Sequence, residues 1–257
     1  MTGPEETAGS GGNTAFYRVL ADHYDTLFPA APETVDLLEQ LARRSADEAS
    51  TPRVLDVGCG SGGHLRGLLR RGLDGSGFDL SPEMIERAAR LDPDHADRYY
   101  VADMQDTADA PGGPFHLVFS LGNTISHLSS LEEIGHWIRA VASVLTKGGR
   151  IALQFMDVSD LSVGETIDLP QLTSWYGNQT VALDRHYLRD SATTIRFDAV
   201  LRGPGNRTVG PISNTLQVVT VDRVKEWMIS FGFNGLSVIP DGRARTVHAT
   251  LPGRLQW

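Results

Sequence analysis

The chain has 257 residues, of which 40% are hydrophobic and 21% charged, and its 23 Lys and Arg against 32 Asp and Glu leave a formal charge of −9. An acidic chain without a basic run lacks the electrostatic footprint of a nucleic-acid binder. Its single cysteine, Cys59, excludes an intrachain disulfide and a thiolate-built zinc cluster.

The opening MTGPEETAGSGGN has neither the basic start nor the apolar core of a signal peptide, and no segment reaches the apolar length of a membrane span. The expectation is a cytoplasmic protein with a polar tail over residues 1–13. AFYRVLADHYDTLF then reads as a short helix running into a turn. PETVDLLEQLARR places Pro32 in a first helical turn and repeats apolar residues at Val35, Leu38, Leu41 and Ala42. RVLDVG is a buried strand, followed by a glycine loop and the helix GHLRGLLRR. DGSGFDL is a second strand, after which Ser81 and Pro82 stand as N-cap and first residue of PEMIERAAR.

RYYVAD and FHLVFSLGN give a third and a fourth strand. Ser129-x-x-Glu132 has the capping-box spacing for the helix LEEIGHWIRAVASVL, with Gly148 as its stop, and RIALQFM is a fifth strand. Strands alternating with helices at this spacing argue for a parallel sheet covered on both faces. Residues 157–219 break the rhythm with the β-prone runs TVALDRHYL, TTIRFDAVLR and NTLQVVT, read as an antiparallel insertion. The helix VDRVKEWMISFGF, with Thr220 as N-cap and Gly232 as stop, and a closing hairpin resume the α/β pattern. The expected organisation is one domain over residues 14–251 with 157–219 as an inserted β cap, followed by a tail over 252–257.

The chemistry concentrates in VLDVGCGSGGHL, residues 54–65. Gly58-x-Gly60-x-x-Gly63 fits the dinucleotide fingerprint, and Asp79, 21 residues after Gly58, is placed to accept ribose hydroxyls. That much suits NAD and S-adenosylmethionine equally. Asp56, two residues before Gly58, separates them. A carboxylate repels a pyrophosphate and attracts an ammonium, and S-adenosylmethionine brings an ammonium and no phosphate.

These residues, with ADM at 102–104 and LGN at 121–123, resemble class I S-adenosylmethionine-dependent methyltransferases. The resemblance implies a Rossmann-like, seven-stranded, mostly parallel sheet with helices on both faces and a small antiparallel cap after strand five. It implies S-adenosylmethionine as cofactor, S-adenosylhomocysteine as product, and no metal. The implied cofactor set is Tyr24, Asp56, Gly58, Gly60, Asp79, Leu80, Asp103, Met104 and Leu121. In it Asp79 takes the ribose, Asp103 the adenine amino group, Met104 the adenine ring, and Leu121 the methionine side.

LGNTISHL at 121–128 and YDTLF at 24–28 are similar to stretches of glycine and sarcosine N-methyltransferase-like enzymes. The fuller arginine-containing N-terminal pattern of those enzymes is not apparent, which argues against glycine itself as acceptor. His127 is the first candidate for a proton-accepting group, with Tyr24 beside the cofactor as a second catalytic candidate. Tyr17, Asn123, His127, Tyr176 and Arg185 are the candidate acceptor-binding residues, Arg185 as partner for a substrate carboxylate. Alternation along VALDRHYL places Arg185 and Tyr187 on one face and His186 on the other.

The expected activity is methyl transfer to a small molecule, on nitrogen ahead of oxygen. A C- or S-methyltransferase of a secondary metabolite, a non-catalytic cofactor-binding protein and an NAD-dependent oxidoreductase are the competing readings. The sequence leaves the acceptor and the oligomeric state open.

Overall fold

The computed structural model describes residues 20–176, 179–203 and 208–252. A first helix, α1, is described over 20–27. It leads into α2 (Pro32–Arg43), whose Pro lies in the first turn and whose Val35, Leu38, Leu41 and Ala42 are buried. These four follow the 3.6-residue period, so one face of α2 is apolar and packs on the sheet.

The alternating core follows: β1 (Arg53–Val57), α3 (Gly63–Leu69), β2 (Asp74–Asp79), α4 (Pro82–Leu91), β3 (Tyr99–Val101), β4 (Phe115–Ser120), α5 (Leu131–Val144) and β5 (Leu145–Met156). After the cap come α6 (Val221–Ser230), β10 (Asn234–Asp241) and β11 (Ala244–Thr250). The seven strands order as β10-β11-β5-β4-β1-β2-β3. β1 to β5 pair in parallel, and β11 is antiparallel to both β5 and β10.

Both faces of this sheet are covered, so successive residues of one strand feed two cores. Leu55 and Val57 join Trp137, Ile138 and Met228 beneath α5 and α6. Val54, Leu117 and Phe119 join Leu38, Leu65 and Leu68 beneath α2 and α3. Burying each such side chain contributes about 1.5–3 kcal/mol.

The cap is a separate antiparallel sheet of four strands in the order β6 (Thr166–Tyr176), β7 (Gln179–Arg189), β8 (Thr194–Arg202), β9 (Thr208–Gln217). Its inner face, with Val181, Leu183, Ala199, Leu201 and Ile212, packs on Leu20, Ala21 and Leu27 of α1 and on Met84 of α4. The insertion thus clamps the N-terminal helix over the carboxyl end of the parallel strands.

The cap has one strand more than the three runs read from the sequence: β6, at the sheet edge, where a register shift between Leu169 and Leu172 accommodates Pro170. Two expectations about α5 need correction. The cap of α5 lies one residue later: Ser130 accepts from the Glu133 N–H at 3.1 Å, and Glu133 accepts from the Ser129 N–H at 2.9 Å. Gly148 does not stop that helix. It lies within β5, where the pairing to β4 jumps from Leu145 to Arg150, and its N–H donates to the Leu251 carbonyl at 2.8 Å.

The N-caps at Ser81 and Thr220 fall where the sequence places them. Gly232 follows α6 at φ 89°. No helix among the described residues is long and apolar enough to cross a membrane.

Candidate active site

The site grows from the turn between β1 and α3. Gly58 and Gly60 have φ of 73° and 54°, the left-handed region that L side chains rarely adopt. A Cβ on Gly58 would collide with the methyl of Thr124, in the turn after β4, and one on Gly60 would lie 3.2 Å from the Tyr24 ring. Glycine here lets two other segments close on the loop. The residue that lets α3 start is Gly62 rather than the fingerprint's third glycine: Gly62 has φ 74° at the N-cap, and its missing side chain leaves room for Tyr99 and Ala88.

Two carboxylates flank the loop. Asp79, at the end of β2, accepts from the Gly60 N–H and from the Ser81 N–H, each at 2.9 Å. Desolvation raises its pKa against the pull of those amides. Asp56 is 3% exposed, and its Oδ2 has no hydrogen-bond partner. Burial and the nearby Asp79 hold the Asp56 carboxyl well above the usual carboxylate range. An ammonium brought beside this orphaned oxygen would favour its ionised form and supply the missing partner, whereas a phosphate would do neither.

At the next strand end, Asp103 accepts from the Gln105 N–H at 2.9 Å through Oδ1 and caps a short 3-10 turn, Met104–Asp109. Met104 is partly buried against the core beneath α5. Leu80 stands 69% exposed beside Asp79, an apolar side chain left uncovered at the mouth of the loop. Leu121 is buried after β4, and its carbonyl accepts from Thr124 Oγ1 at 2.8 Å.

The turn after β4 is held by Asn123, the one non-glycine residue at positive φ (70°) among the described residues. Its Oδ1 accepts from Ser126 Oγ at 2.8 Å and from the Met156 N–H at 3.0 Å, and its Nδ2 lies 3.4 Å from the Tyr187 hydroxyl in the cap. The amide expected to orient an acceptor therefore ties loop, β5 and cap together. His127 ends the 3-10 turn Thr124–His127, on which β9 packs. It keeps an exposed face and has no hydrogen-bond partner among the described residues, while surrounding protein desolvates it and lowers its pKa. A lowered pKa keeps the ring neutral at pH 7, with one nitrogen able to accept a proton.

From the other side comes α1. Tyr24 lies against Gly60 and, at a centroid distance of 5.0 Å, against Phe28. In the cap, Arg185 and Tyr187 share the inner face, while His186 turns outward to Asp198 at 3.0 Å. Of the other expected residues, Tyr17 lies outside the described residues, and Tyr176 closes β6 without a described side chain.

The structure adds groups the sequence reading passed over. Asp25, next to Tyr24, accepts from Ser61 Oγ at 3.1 Å and from Arg66 Nη2 at 2.9 Å. Phe28 and Thr124 also join the wall. Only the adjacency of Asp25 to Tyr24 hinted at the first, because its partners lie far along the chain.

Strand order, glycine loop and paired acids are the arrangement that the resemblance to class I S-adenosylmethionine-dependent methyltransferases leads one to expect. Residues 54–149 match the model of the methyltransferase domain family. The chain is 31% identical over 139 residues to a dTDP-3-amino-3,4,6-trideoxy-alpha-D-glucopyranose N,N-dimethyltransferase of Streptomyces venezuelae, covering 52% of this chain and 56% of that one. It is 32% identical over 160 residues to a ubiquinone biosynthesis O-methyltransferase of Xanthomonas axonopodis pv. citri, covering 62% and 64%. It thus spans about three fifths of these relatives' length. The fold is similar to that of SAM-bound CalS10, an amino pentose methyltransferase from Micromonospora echinaspora, at a TM-score of 0.69 and 19% identity over 97% of this chain and 100% of that one.

Proposed function

We propose that this protein transfers a methyl group from S-adenosylmethionine to a nitrogen of a small molecule. The observation that carries the reading is the pair of acids around the loop: Asp79 fixed on the Gly60 amide, and Asp56 buried with an unpartnered oxygen. Asp79 fits vicinal hydroxyls and Asp56 an ammonium, and it is Asp56 that opposes the pyrophosphate of a dinucleotide. When bound, S-adenosylmethionine supplies an electrophilic methyl on a sulfonium.

The chain's own residues do the rest. Asp79 accepts hydroxyl hydrogens with the lone pairs its amide partners leave open. Asp56 is held to offset the charge of an ammonium near the loop. Leu80 and Met104 offer apolar surface to an adenine ring, with Asp103 beside them. Tyr24 and Phe28 keep water from one side of the reacting atoms, which strengthens each polar contact inside. His127 accepts the proton that an ammonium acceptor must lose before its lone pair can attack. Alignment in a water-poor space supplies the larger part of the rate.

Nitrogen is favoured over oxygen because a neutral amine needs positioning and one deprotonation, which a single desolvated imidazole provides. The N,N-dimethyltransferase and the amino pentose enzyme among the similar proteins support amino sugars as the first acceptors to screen.

The test is calorimetric titration with S-adenosylmethionine, S-adenosylhomocysteine and NAD, followed by methyl-transfer assays on amino sugars, simple amines and phenols. Saturable binding of the adenosyl compounds alone, with transfer to an amine, is expected. Binding of NAD alone would overturn the reading. Binding of the adenosyl compounds with no transfer to any acceptor would favour a cofactor-binding protein.

A further inference from the structure

We propose that Arg185 is an anion-binding residue of the acceptor site, so that the molecule methylated here carries a phosphate or carboxylate group at a distance from the reacting atom. The inference rests on the methyltransferase reading above and narrows its substrate class.

Arg185 stands on the inner face of β7, in register with Leu169 of β6 and Ala199 of β8. Its guanidinium carbon lies 5.6 Å from the centre of the Phe28 ring, Phe28 packs on Tyr24, and Tyr24 lies against Gly60. Two residues further along the same face, the Tyr187 hydroxyl reaches Asn123 in the turn after β4. Arg185 therefore belongs to the wall of the space bounded by α1, the cap and that turn, two aromatic rings away from the glycine loop.

Among the described residues, the fold itself satisfies the other three arginines of the cap. On the outer face Arg202 meets Asp184 at 2.7 Å, and Arg196 meets Asp198 at 3.0 Å. The buried Arg189 spreads over the carbonyls of Ser191, Val158 and Ala192 at 2.6, 2.8 and 2.7 Å. Arg185 differs from all three. It donates from Nη2 to the Pro170 carbonyl at 3.0 Å, its Nε is buried with no hydrogen-bond partner, and no carboxylate pairs with it among the described residues.

A guanidinium carries five donors in a planar fork. Withdrawing it from water without a counter-charge costs free energy that, among the described residues, the Pro170 carbonyl and the Phe28 ring offset only in part, and burial weakens its hold on the proton. The side chain is nonetheless only partly buried, so the guanidinium remains within reach of a ligand. Phe28 shields one face of it, which favours the cation and strengthens any ion pair formed there. Two oxygens of a phosphate or a carboxylate match the fork.

The experiment is calorimetry on the full chain, with and without saturating S-adenosylhomocysteine, titrated with pyrophosphate and separately with benzoate. Wild type is expected to bind one of the two. Arg185→Met should weaken that binding at least tenfold and leave the S-adenosylhomocysteine affinity unchanged, and Arg185→Lys should fall between. Binding of pyrophosphate marks a phosphorylated acceptor, and binding of benzoate alone marks a carboxylic one.

No anion binding by wild type at millimolar concentration overturns the proposal, as does an Arg185→Met protein that binds like wild type. Should Arg185→Met fail to fold, Arg185→Lys decides: retained charge with lost fork must weaken the anion, and equal affinity overturns the proposal. Absent S-adenosylhomocysteine binding would instead strike the methyltransferase reading, and the titrations without it still judge Arg185.

Discussion

The carboxylate of Asp25 and the guanidinium of Arg66 meet at 2.9 Å, joining α1 to α3 across the glycine loop. Ser61 Oγ donates to the same carboxylate oxygen at 3.1 Å, Arg66 Nη1 reaches the Ser61 carbonyl at 3.1 Å, and Arg87 of α4 approaches the other oxygen at 3.5 Å. Tyr24 precedes this anchor, so the ring that lies on Gly60 is set by a contact outside the pocket. Asp25→Ala removes the anchor and the ion-pair partner of both arginines, a cost of about 1–3 kcal/mol. Faster amide exchange over residues 20–27 and several-fold faster release of S-adenosylhomocysteine in stopped flow are expected. Unchanged exchange there would mean that the apolar contacts with the cap hold α1 unaided.

Asp79→Asn tests the ribose assignment. The amide cannot accept as strongly from Gly60 and Ser81 or from two hydroxyls, and charged hydrogen bonds are worth about 1.5–3 kcal/mol each. A loss of S-adenosylhomocysteine affinity of about a hundredfold is expected by calorimetry. Equal affinity would remove Asp79 from the site.

His127 carries a pH signature. Its pKa is lowered by desolvation, so the imidazole is neutral at pH 7, and turnover should fall only as acid protonates it below the ordinary histidine range. His127→Asn should slow turnover tenfold or more at pH 7 with cofactor affinity unchanged. If its pH–rate profile keeps the same acidic limb, another group titrates.

His64, in the first turn of α3, makes a separate prediction about stability. Desolvation lowers its pKa from 6.5 to about 4. The unfolded chain therefore binds more protons than the folded one in that window, and stability falls as pH drops through it. By pH 5 this residue should account for about 2 kcal/mol of lost stability. Urea midpoints at pH 7 and pH 5 should converge in His64→Gln relative to wild type.

Gly62 and Gly72 have nearly equal φ, 74° and 79°, but different surroundings. Nothing lies within 4 Å of a Cβ on Gly72, whereas one on Gly62 would press on Tyr99 and Ala88. Gly72→Ala should cost only the left-handed strain, about 1–2 kcal/mol. Gly62→Ala adds a collision in a packed core and should cost clearly more in urea unfolding.

Much of this protein was determined by short-range information. Apolar periodicity placed α2, capping residues placed the starts of α4 and α6, and the order of elements set the parallel sheet. Asp56, Gly58, Gly60 and Asp79 were readable because β1, its loop and the end of β2 form one local unit whose geometry follows from the chain within it. The alternation that sends Arg185 and Tyr187 inward and His186 outward was readable for the same reason.

Tertiary structure alone decided what those residues meet. β6 was not among the runs read from the sequence, and its Pro170 is accepted because the strand lies at an edge with a register shift. Asn123 was expected to face an acceptor and instead binds Ser126 and Met156, because the end of β5 lies beside its turn. Asp25 found Arg66, and Arg185 found Phe28 and, among the described residues, no acid, through contacts between segments far apart in the chain. Hydrophobic and capping signals act over one or two turns, so a sequence carries them openly. Ion pairs and orphaned charges depend on which distant surfaces pack together, and only the folded chain settles that.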